Sequence, residues 1–156
     1  MYDDESAAFF DVQGKNNTKI KILTPTIFYP VVLKEVPEKI KKKVITVHFF
    51  DKKQFEVPFP LPSVAKNHSA FDPGPSGYIW RGPTWIVHNW FMHQFLMENG
   101  YRKESKMLIT SIEKLIERSG FREYYNPLTG EGYGAHNFTW AGLVIDMINM
   151  EMNKNS

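Results

Sequence analysis

Between Thr84 and Asn99 the chain is apolar almost all round: Trp85, Ile86, Val87, Trp90, Phe91, Phe95 and Leu96 leave no polar stripe, Gly82-Pro83 precede the segment and Gly100 stops it. A helix with no polar face has to be covered on most of its sides, so the rest of the chain must fold around it. The next segment, Arg102 to Ser119, is its opposite. Met107, Leu108, Ile112, Leu115 and Ile116 share one stripe, Lys103, Lys106, Glu113, Lys114 and Glu117 lie elsewhere, and Gly120 ends it; this predicts an amphipathic helix on the outside.

The same alternation extends in both directions. Thr24-Pro25 predicts an N-cap with proline at the first helical position, opening a short apolar helix through Ile27, Phe28, Val31 and Val32 that Pro30 shortens or kinks. Pro37 opens another, with Ile40, Val44, Val47 and His48 on one face and Lys39, Lys41, Lys42 and Lys43 around the other. Asn137 is placed to cap a last apolar helix from Thr139 to about Met152. Residues 1 to 23, with Asp3, Asp4, Glu5 and Asp11 followed by a polar Gly14 to Thr18 turn, read as a helix end, a turn and a short extended piece. Two stretches carry no helix pattern. Residues 51 to 84 hold six prolines and three glycines, and residues 121 to 136 form a second, aromatic and glycine-rich loop. Buried and outer helices alternating, with long loops between them, predict an all-α fold of the α/α toroid type. Five helices are fewer than a closed ring of hairpins needs, and a buried-type helix at an open end exposes an apolar patch larger than the few hundred Å² usual for a monomer.

The length of 156 residues allows one domain, or part of one, spanning 1–156. Lys plus Arg at 19 against Asp plus Glu at 17 gives a net charge of +2, which makes no electrostatic case for nucleic acid or an anionic membrane. No stretch approaches the ~20 apolar residues of a membrane span and no leader pattern opens the chain; the expected location is cytoplasmic. Zero cysteines exclude a disulfide scaffold, a Cys-based zinc site and a thiol nucleophile. His88 and His93, five apart, fall on different helix faces, so no metal is expected, and no cofactor motif occurs. Asp146, among apolar residues of the last helix, is expected to pair with a neighbouring helix.

Aromatic residues make up 15% of the chain, and they gather where chemistry could sit. Tyr78-Ile79-Trp80-Arg81-Gly82-Pro83-Thr84-Trp85 puts two indoles and a guanidinium within six positions. Indole faces stack on pyranose rings, and arginine donates to hydroxyls or a carboxylate from a rigid fork; the same cluster could instead close a helix end over the core. In Gly120-Phe121-Arg122-Glu123-Tyr124-Tyr125-Asn126-Pro127 a carboxylate is bracketed by rings, a setting that suits proton transfer. The alternative is a surface glutamate paired with Arg122 or Arg81.

Pro58-Phe59-Pro60-Leu61-Pro62-Ser63-Val64-Ala65, Trp80-Arg81-Gly82-Pro83-Thr84-Trp85, Glu123-Tyr124-Tyr125-Asn126-Pro127-Leu128-Thr129-Gly130-Glu131 and Asn137-Phe138-Thr139-Trp140 together resemble the C-terminal part of glycoside hydrolase family 63, in its mannosylglycerate and glucosylglycerate hydrolase-like branch. Tyr2-Asp3-Asp4-Glu5 to Phe10-Asp11 and Leu23-Thr24-Pro25 extend the resemblance over essentially the whole chain. It implies a partial (α/α)6 barrel, inverting hydrolysis of an α-glycosidic bond in a small carbohydrate, Glu123 as the general base, and Trp80, Arg81, Trp85 and Tyr124 as the sugar-binding residues. The family's general acid, an Asp in a Glu-Ser-Gly-x-Asp-like motif, lies N-terminal to every motif matched here, and no such motif occurs in the 156 residues. Ile79 departs from the aromatic residue that the branch usually carries. The expectation is therefore the base-bearing part of a glycosidase, Met1 lying within a longer reading frame and the N-terminal half of the barrel being supplied elsewhere; the alternative is a non-catalytic remnant or carbohydrate-binding helical module.

Overall fold

A computed structural model describes residues 1–153. Its centre is α2 (Ile86–Glu98), which packs against a 3-10 helix (Pro25–Val32), α3 (Arg102–Ser119) and α4 (Leu143–Asn153). The all-round apolar pattern is answered by burial: Ile86, Met92, Phe95, Leu96 and Met97 are buried, and of the helix only Glu98 is exposed. α3 spans the predicted residues and lays Leu108, Ile112 and Leu115 on the core, though Met107, assigned to that stripe, is exposed and Ile109 is buried in its place. α1 (Glu38–Val44) continues as one π-turn, Ile45–Phe49, and buries Val44, Ile45, His48 and Phe49 while Val47 faces solvent. The buried stripe is thus shifted from the predicted one toward Ile45. His48 is a satisfied core histidine: Nδ1 meets Gln54 Oε1 at 2.7 Å and Nε2 meets the Ser6 carbonyl at 2.9 Å.

The expectation of an all-α chain needs correction. Three two-stranded antiparallel hairpins accompany the helices: β1 (Tyr2–Asp3) with β2 (Ala8–Phe9), β3 (Val12–Gln13) with β4 (Thr18–Lys19), and β5 (Arg122–Tyr125) with β6 (Gly132–His136). The first two replace the expected helix end. Asp3 ties them together, accepting from Lys19 Nζ at 2.7 Å and from the Ser6 backbone at 3.1 Å; the Lys19 ammonium and Ser6 hold its carboxyl well below the usual carboxylate range. β5 and β6 replace the expected second loop.

Two helix starts also differ. α2 begins at Ile86 rather than Thr84, because Thr84 is extended and bonded into a sheet-like ladder. Asn137 does not cap the last helix: it takes a positive φ of 55°, the chain then enters a 3-10 turn (Thr139–Gly142), and Phe138 holds the cap position without a side-chain bond. Asp146 does pair with a neighbouring helix, accepting from the Trp90 indole N–H at 2.7 Å. Among the described residues no helix is long and apolar enough to cross a membrane.

Candidate active site

The long proline-rich stretch is held by hydrogen bonds rather than by regular structure. The Ser63 backbone N–H donates to the Pro83 carbonyl at 3.0 Å, the Gly82 N–H to Ser63 Oγ at 2.9 Å, and Thr84 Oγ1 to the Phe59 carbonyl at 2.6 Å. At Gly82 a Cβ would lie 2.8 Å from the Asp72 carbonyl carbon and oxygen, so only glycine lets these two backbone runs meet. Thr84 then exchanges both backbone hydrogen bonds with Tyr125, at 2.7 and 3.0 Å. That one residue brings the Trp80–Trp85 segment beside the strand of Glu123, although some forty positions separate them in the sequence.

The hairpin register explains how Glu123 is aimed. Arg122 pairs with His136 and Tyr124 with Tyr133, so between these pairs Glu123 alone stands opposite Gly134 and Ala135. The extra residue sits at Gly134, whose φ is +68°, which makes a glycine-led β-bulge of the kind that redirects a side chain. The Ala135 N–H donates to Glu123 Oε2 at 3.0 Å. Glu123 is half-buried, and its Oε1 has no hydrogen-bond partner among the described residues. Among them neither Arg122 nor Arg81 forms an ion pair with it. Arg122 turns instead to β6, donating to the Gly134 carbonyl at 3.0 Å and contacting the His136 ring. The Glu123 carboxylate is thus held by a backbone N–H and by neither arginine among the described residues.

A Cβ on Gly134 would collide with Glu123 Oε2 and stand 2.8 Å from Tyr124 Cε1. Gly134→Ala should therefore swing the carboxylate off Ala135 and cost ~1–3 kcal/mol of stability through backbone strain and the lost contact, read by denaturant titration. Ala at Gly77, where a Cβ meets nothing within 4 Å, serves as the neutral control.

The aromatic residues form one stack. Trp80 lies on Trp85 with centroids 3.9 Å apart and planes 7° from parallel, Trp85 stacks against Tyr124 at 5.1 Å, and Trp140 meets Trp85 edge-on at 5.6 Å. The Trp85 indole N–H donates to the Ile79 carbonyl at 2.9 Å. Of the four residues assigned to sugar binding, Trp80 (50% exposed) and Arg81 offer surface, whereas Trp85 (2%) and Tyr124 (7%) are buried beneath. Burial pushes the Tyr124 phenol up, and the Glu123 charge adds to this. The Arg81 guanidinium lies 4.1 Å over the Tyr78 ring and has no carboxylate partner among the described residues. A groove of about 440 Å³ runs between Phe50, Phe55, Val57 and α3, away from Glu123. Among the described residues no cluster of three or more His, Asp or Glu could hold a metal ion.

The sequence placed Thr84 at a helix start and Gly134 within a glycine-rich loop, and neither showed there as a residue that positions the site. The signal for Thr84 was a β-branched residue directly after Gly-Pro, a strand preference at the presumed helix start.

A mainly helical frame thus brings an exposed indole stack and a carboxylate held by a backbone N–H onto neighbouring segments. Residues 1–141 match the model of the mannosylglycerate hydrolase MGH1-like glycoside hydrolase domain, and the chain belongs to that family. It is 42% identical over 81 residues, 52% of its length, to mannosylglycerate hydrolase of Thermus thermophilus, of which that region is 19%. The structure superposes with a TM-score of 0.82 at 28% identity on a family 63 mannosylglycerate hydrolase, also of Thermus thermophilus, in complex with glucose, over 95% of this chain and 36% of that one. It shares its fold with neutral trehalase Nth1 of Saccharomyces cerevisiae, at 18% identity and a TM-score of 0.72, over 99% of this chain and 28% of that one. The chain thus spans little more than a third of the solved mannosylglycerate hydrolase.

Proposed function

We propose that this chain is the base-bearing part of an inverting α-glycosidase that hydrolyses a small α-glucoside or α-mannoside of the glycosylglycerate type. The observation that carries this reading is the state of Glu123: one oxygen is fixed by the Ala135 N–H and the other is open. A carboxylate held in this way keeps its orientation while Oε1 takes a proton from water. The water oxygen bonds to the anomeric carbon as the glycosidic C–O bond breaks, Glu123 receives the water proton, and a second carboxyl gives a proton to the leaving oxygen. Inversion needs those carboxyls about 6.5–9.5 Å apart, with room for the water. The second carboxyl comes from outside the 156 residues, in the remainder of an (α/α)6 barrel of which this chain is the C-terminal portion.

The sugar lies on the free face of Trp80. Trp85 and Tyr124 keep that indole flat from below, so their part in binding is to support the shelf. Arg81, held over Tyr78 and free of carboxylates among the described residues, donates to substrate oxygens. Exposed Ile145 on α4 belongs to the seam that the missing part of the barrel covers. The cytoplasm is the proposed location.

Glu123→Gln tests the proposal in the longest protein that contains this chain: loss of hydrolysis with retained sugar binding is expected, and unchanged hydrolysis would refute it. A second reading, a sugar-binding remnant without turnover, is favoured by the absence of an acid motif from the sequence. An upstream reading frame that supplies the acid decides for the enzyme, and a stop codon close before Met1 decides for the remnant.

A further inference from the structure

The first turn of α2 carries a histidine for which the two-carboxyl chemistry has no role. His88 Nδ1 lies 2.7 Å from the Tyr29 hydroxyl on the 3-10 helix. Tyr29 is itself wedged against Phe91, with centroids 4.7 Å apart. The imidazole meets the Trp80 indole edge to face, at 6.2 Å and 73°. Burial pushes His88 down to about 4 and the Tyr29 phenol up, so at neutral pH the ring is uncharged and the phenol keeps its proton. A neutral imidazole has one acceptor nitrogen and one N–H. The contact fits either tautomer; where the Tyr29 hydroxyl donates to Nδ1, the N–H falls on Nε2. Nε2 has no hydrogen-bond partner among the described residues, yet it is absent from their buried, unsatisfied polar atoms; it therefore reaches solvent, beside the exposed indole.

We propose that His88 is a further sugar-contact residue: Tyr29 fixes its imidazole in the Nε2–H form, and Nε2–H donates a hydrogen bond to a hydroxyl of the pyranose lying on Trp80. The proposal rests on the reading of Trp80 as the sugar shelf and deepens it. Stacking on an indole is tolerant of hydroxyl configuration, whereas a fixed donor at the rim is not, because an epimer that turns its hydroxyl away leaves the donor unpaired. A neutral donor also suits a neutral hydroxyl acceptor, while Arg81 remains available for a charged oxygen.

The test uses the full chain labelled with ¹⁵N-histidine and ¹⁵N-tryptophan, with glucose as the probe. The expected result is an Nε2–H tautomer for His88, and His88 and Trp80 N–H signals that move together as glucose is added. Tyr29→Phe should mix the tautomers and weaken glucose binding by about fivefold, the size of one net hydrogen bond. His88→Leu should do the same, and His88→Gln, which keeps an N–H donor, should recover part of the loss. An Nδ1–H tautomer overturns the proposal whatever the sugar does. Movement of Trp80 without His88 overturns it and leaves the sugar shelf standing. If neither responds, shelf and contact fall together, while Glu123 is judged separately by hydrolysis.

Discussion

Glu123→Gln should lower kcat by about 10³, within the roughly 10²–10⁴ that general acid–base groups contribute, in a protein that carries this chain together with its second carboxyl. The amide is nearly isosteric and still accepts from the Ala135 N–H through its oxygen, so β5 and β6 keep their register. What it loses is the proposed capacity to take a proton from water at the Oε1 position. Sugar affinity should change by less than about threefold, because the shelf of Trp80 over Trp85 is built without Glu123. A kcat loss with a steady KM separates removal of the base from collapse of the site. Parallel loss of sugar binding would point to a structural role for the carboxylate.

Trp85→Ala should have the largest effect on stability, about 3–5 kcal/mol as for other buried aromatic truncations. Trp85 is 2% exposed and is met by Trp80, Tyr124 and Trp140. Removing it leaves three rings facing a void and frees the Ile79 carbonyl from its indole donor. Since domains of this size hold about 5–15 kcal/mol in all, the variant is expected to melt far below the parent and to lose the shelf with it. Trp85→Phe, which refills much of the volume but not the N–H, should recover more than half of the loss. Equal stability of parent and Ala variant in urea would contradict the stack as a structural unit.

The helices were legible in the sequence where a single physical rule governed them. Glycines bound α3 at both ends and its apolar spacing sets its face, while α2 could be placed at the centre because it has no polar side to show water. The hairpin of β5 and β6 was hidden for the opposite reason. Gly132, Gly134 and the polar turn from Asn126 dilute any alternation, and strand pairing there depends on Thr84, which is distant in sequence, and on a bulge that only a register reveals. The chemistry-bearing motifs were visible as residues but not as geometry. Arg122 looked like the natural partner of Glu123, yet the bulge turns it toward β6 carbonyls. Trp80 and Trp85 looked equivalent, and burial separates them into a surface and its support. His88 could be weighed only as a metal ligand, since Tyr29, fifty-nine positions away, leaves no local trace.

In the proposed reaction Glu123 activates water on the face of the sugar opposite the leaving group. The most direct test of this step is ¹H NMR of the anomeric region during the first minutes of hydrolysis of an α-glucosyl or α-mannosyl glycerate by the protein carrying this chain. A first-formed β-anomer, absent with Glu123→Gln, is the predicted result; a first-formed α-anomer, or undiminished release by the variant, would contradict it.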